Sequence, residues 1–325
     1  MPKSTRFALA LVVGSLISGA FVFLMLRGLD LGEVFGSLAH ARPLAIVLAI
    51  VAYLASFVFR NLRWSIILGR RPTQGFWELF RILIVGWGVN NILPLRLGEV
   101  ARASLLNLRR QLPFSYCLST ILVERLLDGF TLLLLGVVVL LLVPDMNSLA
   151  QIGTIALIIV LGVVVVAYIA LRWRTFISAI PLPKRLAAAV QGMVNGLEIL
   201  VNVRGLLKVI LFSIPVWLAE GLSFGLVAWS LNLEIPYLYI LASLVMANLG
   251  ILIPAAPGYV GTFDYFATLP LLNLDMPGES LVSFVVLVHA IQYFTTTAIT
   301  AIVLSKDGLH PKGLFKLFLQ RKGMG

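Results

Sequence analysis

Long apolar runs constrain the fold of this 325-residue chain more than any other feature. A transmembrane helix needs about 20 consecutive, mainly apolar residues, because it must cross about 30 Å of hydrocarbon. Runs of that length occupy residues 7–26, 44–68, 114–143, 149–171, 206–231 and 281–304. With 60% hydrophobic and 12% charged residues, the chain has no polar stretch long enough for a soluble domain. The sequence therefore predicts an all-α integral membrane protein with six transmembrane helices.

Two further apolar segments, residues 76–95 and 236–272, are interrupted by proline and glycine. Residues 90–99 read NNILPLRLGE, and residues 254–261 read PAAPGYVG. Unwound backbone at membrane depth is tolerated only where protein or a water-filled cavity satisfies its polar groups. Paired interruptions in the two halves of a membrane chain indicate a transporter-like binding site. We therefore predict two re-entrant helical hairpins in addition to the six spans.

The distribution of basic residues predicts the orientation of the chain in the membrane. Lys and Arg are retained on the cytoplasmic side. They concentrate at the N-terminus and in residues 60–81, 96–110, 172–204 and 306–322, and they are absent from residues 144–148, 232–234 and 273–279. Both termini are therefore expected in the cytoplasm of a cell whose inner membrane holds the protein.

This orientation makes the two hairpins enter from opposite faces of the membrane. Residues 1–143 and 149–305 then form inverted pseudo-repeats of a single membrane domain, followed by a basic cytoplasmic tail at 306–325. Such a plan supports alternating access. The alternative is that Pro94 and Pro254 merely kink ordinary spans.

Charged residues lie inside the third apolar run. Glu124, Arg125 and Asp128 fall in one helical turn there, and each costs about 2.5–3.5 kcal/mol to insert, so such residues usually face a cavity or a partner. The nearby hairpin adds charged and amide side chains from the same side of the membrane. These are Asn90, Asn91, Arg96, Glu99 and Arg102.

Two roles for this cluster are open. It is either a neutralised ion-pair network that fixes helix packing or a binding site for a lipid head group. In the second case Arg96, Arg102 and Arg125 bind phosphate, for which the planar guanidinium is suited. The acidic members then tune the arginines or recognise a cationic head group; they are Glu99, Glu124 and Asp128.

Four more residues are candidates on weaker grounds. Asp264 follows the second interruption, and His289 lies within the last run. Histidine titrates near neutral pH, so His289 is either a proton-coupled residue or a buried hydrogen-bonding residue. Arg60 and Arg63 lie one turn apart at the end of the second run, where we expect them to snorkel toward the cytoplasmic surface.

Four motifs together resemble the lysylphosphatidylglycerol synthase transmembrane-region family. They are R-x-x-R-W at 60–64, NILPLRLGEVAR at 91–102, E-R-L-L-D at 124–128 and P-G-Y-V-G at 257–261. The motif positions Arg60, Arg63, Pro94, Gly98, Pro257, Gly258 and Gly261 are therefore secondary candidates for the site. Two departures are visible, since many relatives have Glu in place of Asp264 and arginine is common in place of His289.

The resemblance implies a module that moves lipids between leaflets. In bacterial lysylphosphatidylglycerol synthases a soluble aminoacyl-transferase domain follows this module, and the sequence here stops shortly after its last apolar run, so a stand-alone module without synthase activity is expected. The expected function is a lipid flippase for a phosphate-bearing lipid, either a modified phospholipid or a polyprenyl-phosphate sugar. The alternatives are a membrane-embedded lipid-phosphate transferase, with Glu124 or Asp128 as general base, and a non-catalytic partner of a separately encoded lipid synthase or glycosyltransferase.

Several classes of partner and chemistry are not expected. One cysteine and three scattered histidines offer no metal site, and no nucleotide-binding motif is present, so neither a metal nor a cofactor is predicted. The net charge of +11 comes from basic residues that flank spans, which argues against nucleic-acid binding. The expected partner is the membrane lipid itself, and a homo-oligomer remains open.

Overall fold

A computed structural model of the protein describes residues 3–69, 75–94, 96–143, 183–200 and 202–306, with five single positions between 154 and 165. No β-strand occurs in these ranges. Their α-helices are α1 (Lys3–Leu26), α2 (Leu31–Ala39), α3 (Pro43–Leu68), α4 (Phe76–Ile92), α5 (Leu97–Arg110), α6 (Phe114–Leu142), α7 (Lys184–Leu197), α8 (Val203–Ser230), α9 (Tyr237–Gly250), α10 (Thr262–Thr268) and α11 (Gly278–Lys306). Short 3-10 helices occupy Glu198–Leu200, Pro257–Tyr259 and Leu269–Asn273. The chain is thus all-α, as its sequence predicts.

Four of these helices are long and apolar enough to cross a membrane. They are α3, α6, α8 and α11, and they coincide with four of the six predicted spans. The first predicted span is the helix α1, but the chain then bends by 86° into α2, whose start is capped by Asp30 accepting from the Gly32 amide. The predicted span at 149–171 lies outside the described residues apart from single positions. The arrangement of six spans therefore stays a prediction, while the integral membrane class is clear.

The first interrupted segment forms two helices joined by a short break. Helix α4 ends at Ile92 and α5 begins at Leu97, with Pro94, which has no amide hydrogen to donate, in the connection. The two helices approach closely, because a Cβ atom on Gly98 would collide with the carbonyl oxygen of Gly86. The amide of Gly98 also donates to Asn90 Oδ1 at 2.7 Å, which ties the two arms together across the break.

The second arm of this segment extends beyond the predicted bounds of the hairpin, residues 76–95. The sequence placed residues 96–110 in a cytoplasmic flank, because they contain several arginines and no apolar run. In the structure they form α5, and residues 101–106 are all buried. The arm is amphipathic, and small apolar residues cover one of its faces. Its buried arginine pairs with a carboxylate.

The second interrupted segment is broken in a similar way. Helix α9 ends at Gly250, and the chain continues through the short turn Pro257–Tyr259 before α10 begins at Thr262. Gly258 has a φ of 74°, and a Cβ atom there would meet the ring of Tyr293. Glycine is therefore required both by the backbone conformation and by the close approach of α11.

Equivalent helices in the two halves of the chain have equivalent packing partners. Helix α3 packs along its counterpart α8. The first arm of each broken segment packs on the last helix of the other half, α4 on α11 and α9 on α6. The second arm packs on the last helix of its own half, α5 on α6 and α10 on α11. The packing of each first arm on the other half is the pattern expected of a two-fold internal repeat. The sidedness of the two halves in the membrane stays a prediction.

Candidate functional site: a polar cavity between the two broken segments

The breaks of the two segments face each other across a polar cavity. We name them the first tip (residues 93–96) and the second tip (residues 251–261). Arg96 Nη2 donates to the carbonyl oxygen of Ile251 at 2.9 Å, so the two tips are in direct contact. The cavity has room for about 60 Å³ of water, and a crevice of about 200 Å³ continues between Pro94 and the backbone of the second tip.

The predicted asparagines lie at this cavity and hold the first tip in place. Asn90 Oδ1 accepts from the Gly98 amide, as described above, and Asn90 is buried. Asn91 Nδ2 donates to the carbonyl oxygen of Tyr293 at 3.2 Å and to Thr297 Oγ1 at 3.0 Å. Both asparagines therefore line the cavity and tie the first tip to its own second arm and to α11.

Each tip contains a residue other than glycine in the left-handed region. Arg96 has a φ of 53° in the first tip, and Tyr259 has a φ of 61° in the second. A side chain with a Cβ atom rarely adopts this conformation, and such strain concentrates at functional sites. Both residues line the cavity. The two strained conformations therefore lie at the cavity wall, one in each tip.

A buried network of ion pairs lies beside the cavity, and two carboxylates of α6 are its centre. Asp128 lies 2.7 Å from Arg63 Nη2 and 3.2 Å from Arg60 Nη1. Glu124 accepts from Arg102 Nη2 at 2.6 Å and lies 3.5 Å from Arg63 Nη2. All five side chains are buried, so mutual neutralisation allows them to remain charged in an apolar protein.

Arg60 and Arg63 were expected to snorkel toward the membrane surface, and this interpretation is wrong. Their side chains are 1% and 0% exposed. Both point inward because carboxylates on neighbouring helices compensate the charge. The guanidinium of Arg60 also lies 4.9 Å from the ring centroids of both Trp87 and Trp217, which adds cation–π attraction.

The sequence reasoning missed Glu220, which belongs to the same network. Its Oε1 atom accepts from Arg60 Nη2 at 2.6 Å, and the residue also lines the cavity. Glu220 stands within the apolar run at 206–231, so the rule that charged residues inside spans have a partner or a cavity would have identified it. Tyr53, Asn248 and Gln292 also line the cavity and were not predicted; as uncharged side chains in helices, they give no comparable signal.

The predicted cluster divides into residues at the cavity and residues behind it. Arg96, Glu99 and Arg125 line the cavity, and Arg125 Nε donates to Glu99 Oε1 at 2.9 Å. Arg102, Glu124 and Asp128 are not among the cavity-lining residues. Arg102 instead stacks on Trp64, with its guanidinium carbon 4.0 Å from the ring centroid. Its expected role in phosphate binding is therefore not supported by its position, which is that of a packing residue.

Counted over the cavity and the network beside it, the positive charges exceed the negative ones by one. Five arginines and four carboxylates form this region: Arg60, Arg63, Arg96, Arg102, Arg125, Glu99, Glu124, Asp128 and Glu220. Four of the arginines pair with a described carboxylate. In the part of the chain that the structure describes, no carboxylate forms an ion pair with Arg96, whose hydrogen bonds go to the carbonyl oxygen of Ile251 and to the Tyr259 side chain. Arg96 therefore brings an unneutralised positive charge to the cavity wall.

The predicted residues of the second half meet each other on the opposite wall. His289 Nδ1 lies 2.8 Å from Asp264 Oδ1, and His289 Nε2 lies 2.9 Å from the carbonyl oxygen of Gly258. The second carboxylate oxygen of Asp264 accepts from the Gly261 amide at 2.9 Å, which caps α10. The ring of Phe263 packs on the imidazole at 4.5 Å between centroids. Asp264 and His289 thus fix the second tip against α11.

An apolar groove of about 450 Å³ adjoins this wall on its other side. It is bounded by α1, α2 and α11, and its lining is apolar except for Asp264, His289 and Tyr293. His289 and Tyr293 line both the groove and the polar cavity. A polar compartment and an apolar one therefore share a wall, which suits an amphipathic ligand.

Comparisons with known proteins agree with the motifs read from the sequence. The profile of the family described as "Lysylphosphatidylglycerol synthase TM region" matches residues 11–300. "Glycosyltransferase AglD" of Haloferax volcanii is 24% identical over 91% of this chain, which spans only 54% of that protein. A "UPF0104 membrane protein" of Methanothermobacter thermautotrophicus is 25% identical over 79% of this chain and 81% of its own length. "UPF0104 membrane protein MJ1078" of Methanocaldococcus jannaschii is 28% identical over 66% of this chain and 92% of its own length.

Proposed function

The chain belongs to the lysylphosphatidylglycerol synthase TM region family, and from that membership we propose that it moves a phosphate-bearing lipid between the two leaflets of the membrane. One observation carries the proposal. Two broken helical segments face each other across a polar cavity, and the lining arginine in the first tip has no carboxylate partner among the described residues. Arg96 is partly buried, and a partly buried cation without a carboxylate partner favours an anionic ligand.

The lipid phosphate binds at Arg96 in this proposal. Arg96 also forms a hydrogen bond with the Tyr259 side chain, and in this proposal its other guanidinium N–H groups donate to phosphate oxygens, which Arg recognises with a planar pair of donors. Arg125 and Glu99, which are paired to each other, contact the rest of the head group. A modified phospholipid and a polyprenyl-phosphate sugar both fit these charges. The relative named a glycosyltransferase favours the sugar-bearing lipid of the two.

The hydrocarbon part of the lipid stays on the apolar side of the shared wall. The groove between α1, α2 and α11 adjoins the cavity through His289 and Tyr293, so a lipid can keep its chains in apolar surroundings while its head group is inside the protein. This separation avoids the cost of burying a phosphate in hydrocarbon. It supports a lipid, and not a small water-soluble anion, as the ligand.

Alternating access is proposed to come from the repeat. If the halves are inverted, the two tips enter from opposite faces, and each half opens the shared cavity to one leaflet in turn. Both termini then lie in the cytoplasm, and the protein resides in the inner membrane. The matched packing of the two halves supports this arrangement.

A membrane-embedded transferase is the second candidate function, because one relative carries a glycosyltransferase name. A general base for that reaction needs a carboxylate that is free to accept a proton. Glu99, Glu220, Glu124 and Asp128 are all held by arginines. The geometry therefore favours translocation over transfer.

The experiment is a leaflet-transfer assay on the purified protein in liposomes. Fluorescent phosphatidylglycerol and a fluorescent polyprenyl phosphate serve as probes, and a membrane-impermeant reductant measures the fraction in the outer leaflet over time. Arg96→Gln is expected to slow transfer about tenfold to a hundredfold, the loss expected for a hydrogen bond to a charged group. Arg27→Gln is the matched control, since Arg27 is exposed at the end of α1.

Mass spectrometry of the recovered lipids separates the alternatives. Transfer of probe with unchanged mass supports translocation, whereas a new lipid species identifies a transferase. No transfer with either probe, in a protein that retains its folded state, contradicts the proposal. Transfer that appears only with a co-purified synthase points to a partner role.

A further inference from the structure

Two hydrogen bonds of His289 fix the number of protons that its ring and the Asp264 carboxylate hold together. The carbonyl oxygen of Gly258 can only accept, so Nε2, at 2.9 Å, must carry a hydrogen. An ionised carboxylate can also only accept, so Nδ1, at 2.8 Å from Asp264 Oδ1, must carry one as well unless Asp264 itself is protonated. In either case the pair holds one proton more than a neutral imidazole beside an ionised carboxylate.

From this geometry we propose that His289 and Asp264 form a proton-binding site in the wall of the polar cavity, and that its proton controls the second tip. The assignment of the proton depends only on the two contacts of the ring. Its consequence for transport rests on the proposed lipid translocation. The site is reached from the cavity, which His289 lines, while the α1 and α2 residues on the groove side are apolar.

Loss of the proton removes one of the bonds that hold the second tip, the one between His289 and the Gly258 carbonyl. The hydrogen on Nε2 leaves as a proton to water in the cavity, and the ring keeps the hydrogen on Nδ1 because an ionised carboxylate is the stronger acceptor. The lone pair of Nε2 then faces the carbonyl oxygen of Gly258, and the two repel each other. The pair changes from neutral to a single negative charge. The tip therefore has its hydrogen bond to α11 while the pair holds this proton, and loses that bond when the proton leaves.

Other charged and titratable groups face this site from several elements. Asp264 and Tyr259 belong to the second segment, and the remaining groups lie across the cavity on α5, α6, α8 and the first tip. They are Arg96, Glu99, Arg125 and Glu220. Glu99 and Glu220 are already paired with arginines, so Asp264 is the carboxylate in position to share the imidazole proton.

The proton count can be measured directly by nitrogen-15 and carbon-13 magnetic resonance. The chain has three histidines, so the double variant His40→Gln, His310→Gln leaves His289 as the only one. In the folded protein we expect either hydrogens on both ring nitrogens or a protonated Asp264 carboxyl. Asp264→Asn is expected to leave one hydrogen on the ring. A ring with one hydrogen beside an ionised Asp264 would overturn the proposal.

Release of the tip is read by amide hydrogen exchange across a pH series. Residues 257–261 are expected to lose protection relative to residues 96–99 of the first segment as pH rises, and this difference should vanish in His289→Gln. Residues 96–99 serve as the internal reference for the intrinsic dependence of exchange on pH. Equal changes in both segments would contradict the control of the tip by this proton.

Coupling to transport is tested with a pH gradient across the liposome. The ratio of lipid-transfer rates with and without the gradient should differ from one in the wild type and equal one in Asp264→Asn. Asp275→Asn, which changes an exposed carboxylate, should keep the wild-type ratio. A wild-type ratio of one in a protein that moves lipid overturns the coupling. Failure to move lipid at any pH counts instead against the proposed function, and the resonance experiment still decides the proton site.

Discussion

At the scale of single residues, charged side chains remain inside this membrane protein because almost every one has an opposite charge in contact. Removing an ion from water costs several kcal/mol even after relaxation, and only close pairing with further hydrogen bonds offsets this cost. Arg60 shows the principle, since it contacts Asp128 and Glu220 and lies between two tryptophan rings. Arg96 departs from it and is therefore the residue most open to a ligand.

The contribution of Glu220 can be measured by removing its charge. Glu220→Gln should lower the free energy of unfolding by about 3 kcal/mol, the lower end for breaking a buried ion pair, because Asp128 still compensates Arg60. Denaturant titration in mixed micelles measures the change. Glu33→Gln, at an exposed position of α2, is the matched control and should leave stability nearly unchanged. Equal stability of the two variants would contradict the assigned role of Glu220.

At the scale of elements, the two breaks are stabilised by different means. The first is held by close contact of its two arms at Gly98 and by the Asn90 side chain. The second is held by glycine backbone conformations and by the His289–Asp264 pair. At the second break, side chains satisfy backbone carbonyls, Arg96 that of Ile251 and His289 that of Gly258, as the bilayer requires.

The close approach of α4 and α5 predicts a cost for any side chain at Gly98. In Gly98→Ala the added methyl group would meet the Gly86 carbonyl and the Asn90 side chain, so the arms must separate. We expect a loss of about 1–3 kcal/mol in stability, as for overpacked cores, together with reduced lipid transfer.

Gly19→Ala provides the comparison for this variant. A Cβ atom there meets no other atom within 4 Å, and alanine favours the helix. The melting temperature of Gly19→Ala should therefore equal or exceed that of the wild type. A Gly98→Ala protein as stable as Gly19→Ala would show that the arms have more freedom than their contacts indicate.

At the scale of the whole molecule, the repeated packing of the two halves places both breaks at one central cavity. The first arm of each broken segment packs on the last helix of the other half. The broken segment of each half is therefore in direct contact with the last helix of the other half. This connection is suited to a carrier that exposes one site to two leaflets in turn.

The predicted sidedness is testable with single cysteines and an impermeant maleimide. Gly75→Cys and Arg109→Cys flank the first broken segment and should react only from the cytoplasmic side, whereas Glu234→Cys and Asp275→Cys flank the second and should react only from outside. All four positions are exposed, and the native Cys117 is buried, so it serves as the unreactive background. Labelling of both pairs from the same side would rule out opposed hairpins.

Much of the candidate site could be predicted from the sequence, and there is a physical reason why the rest could not. Each proline, glycine or charged residue in an apolar run can be recognised in the sequence without knowledge of its neighbours in space. Both tips could therefore be predicted, together with the charged residues Arg96, Glu99, Arg125, Asp264 and His289. The sequence could not predict which of the charged residues line the cavity and which belong to the buried ion-pair network. Arg102 and Glu124 have the same local signature as the cavity residues, and only their neighbours place them behind the wall.

The sequence by itself determined the membrane environment, the helical class and the two interruptions, because hydropathy and backbone preference act over a few neighbouring residues. The tertiary structure decided which charges meet. Arg60 and Glu220 are 160 positions apart, and the two tips come from different halves. Such pairings depend on how whole helices pack, and no local pattern specifies them. The unpaired Arg96 and the proton shared by His289 and Asp264 follow from that packing alone.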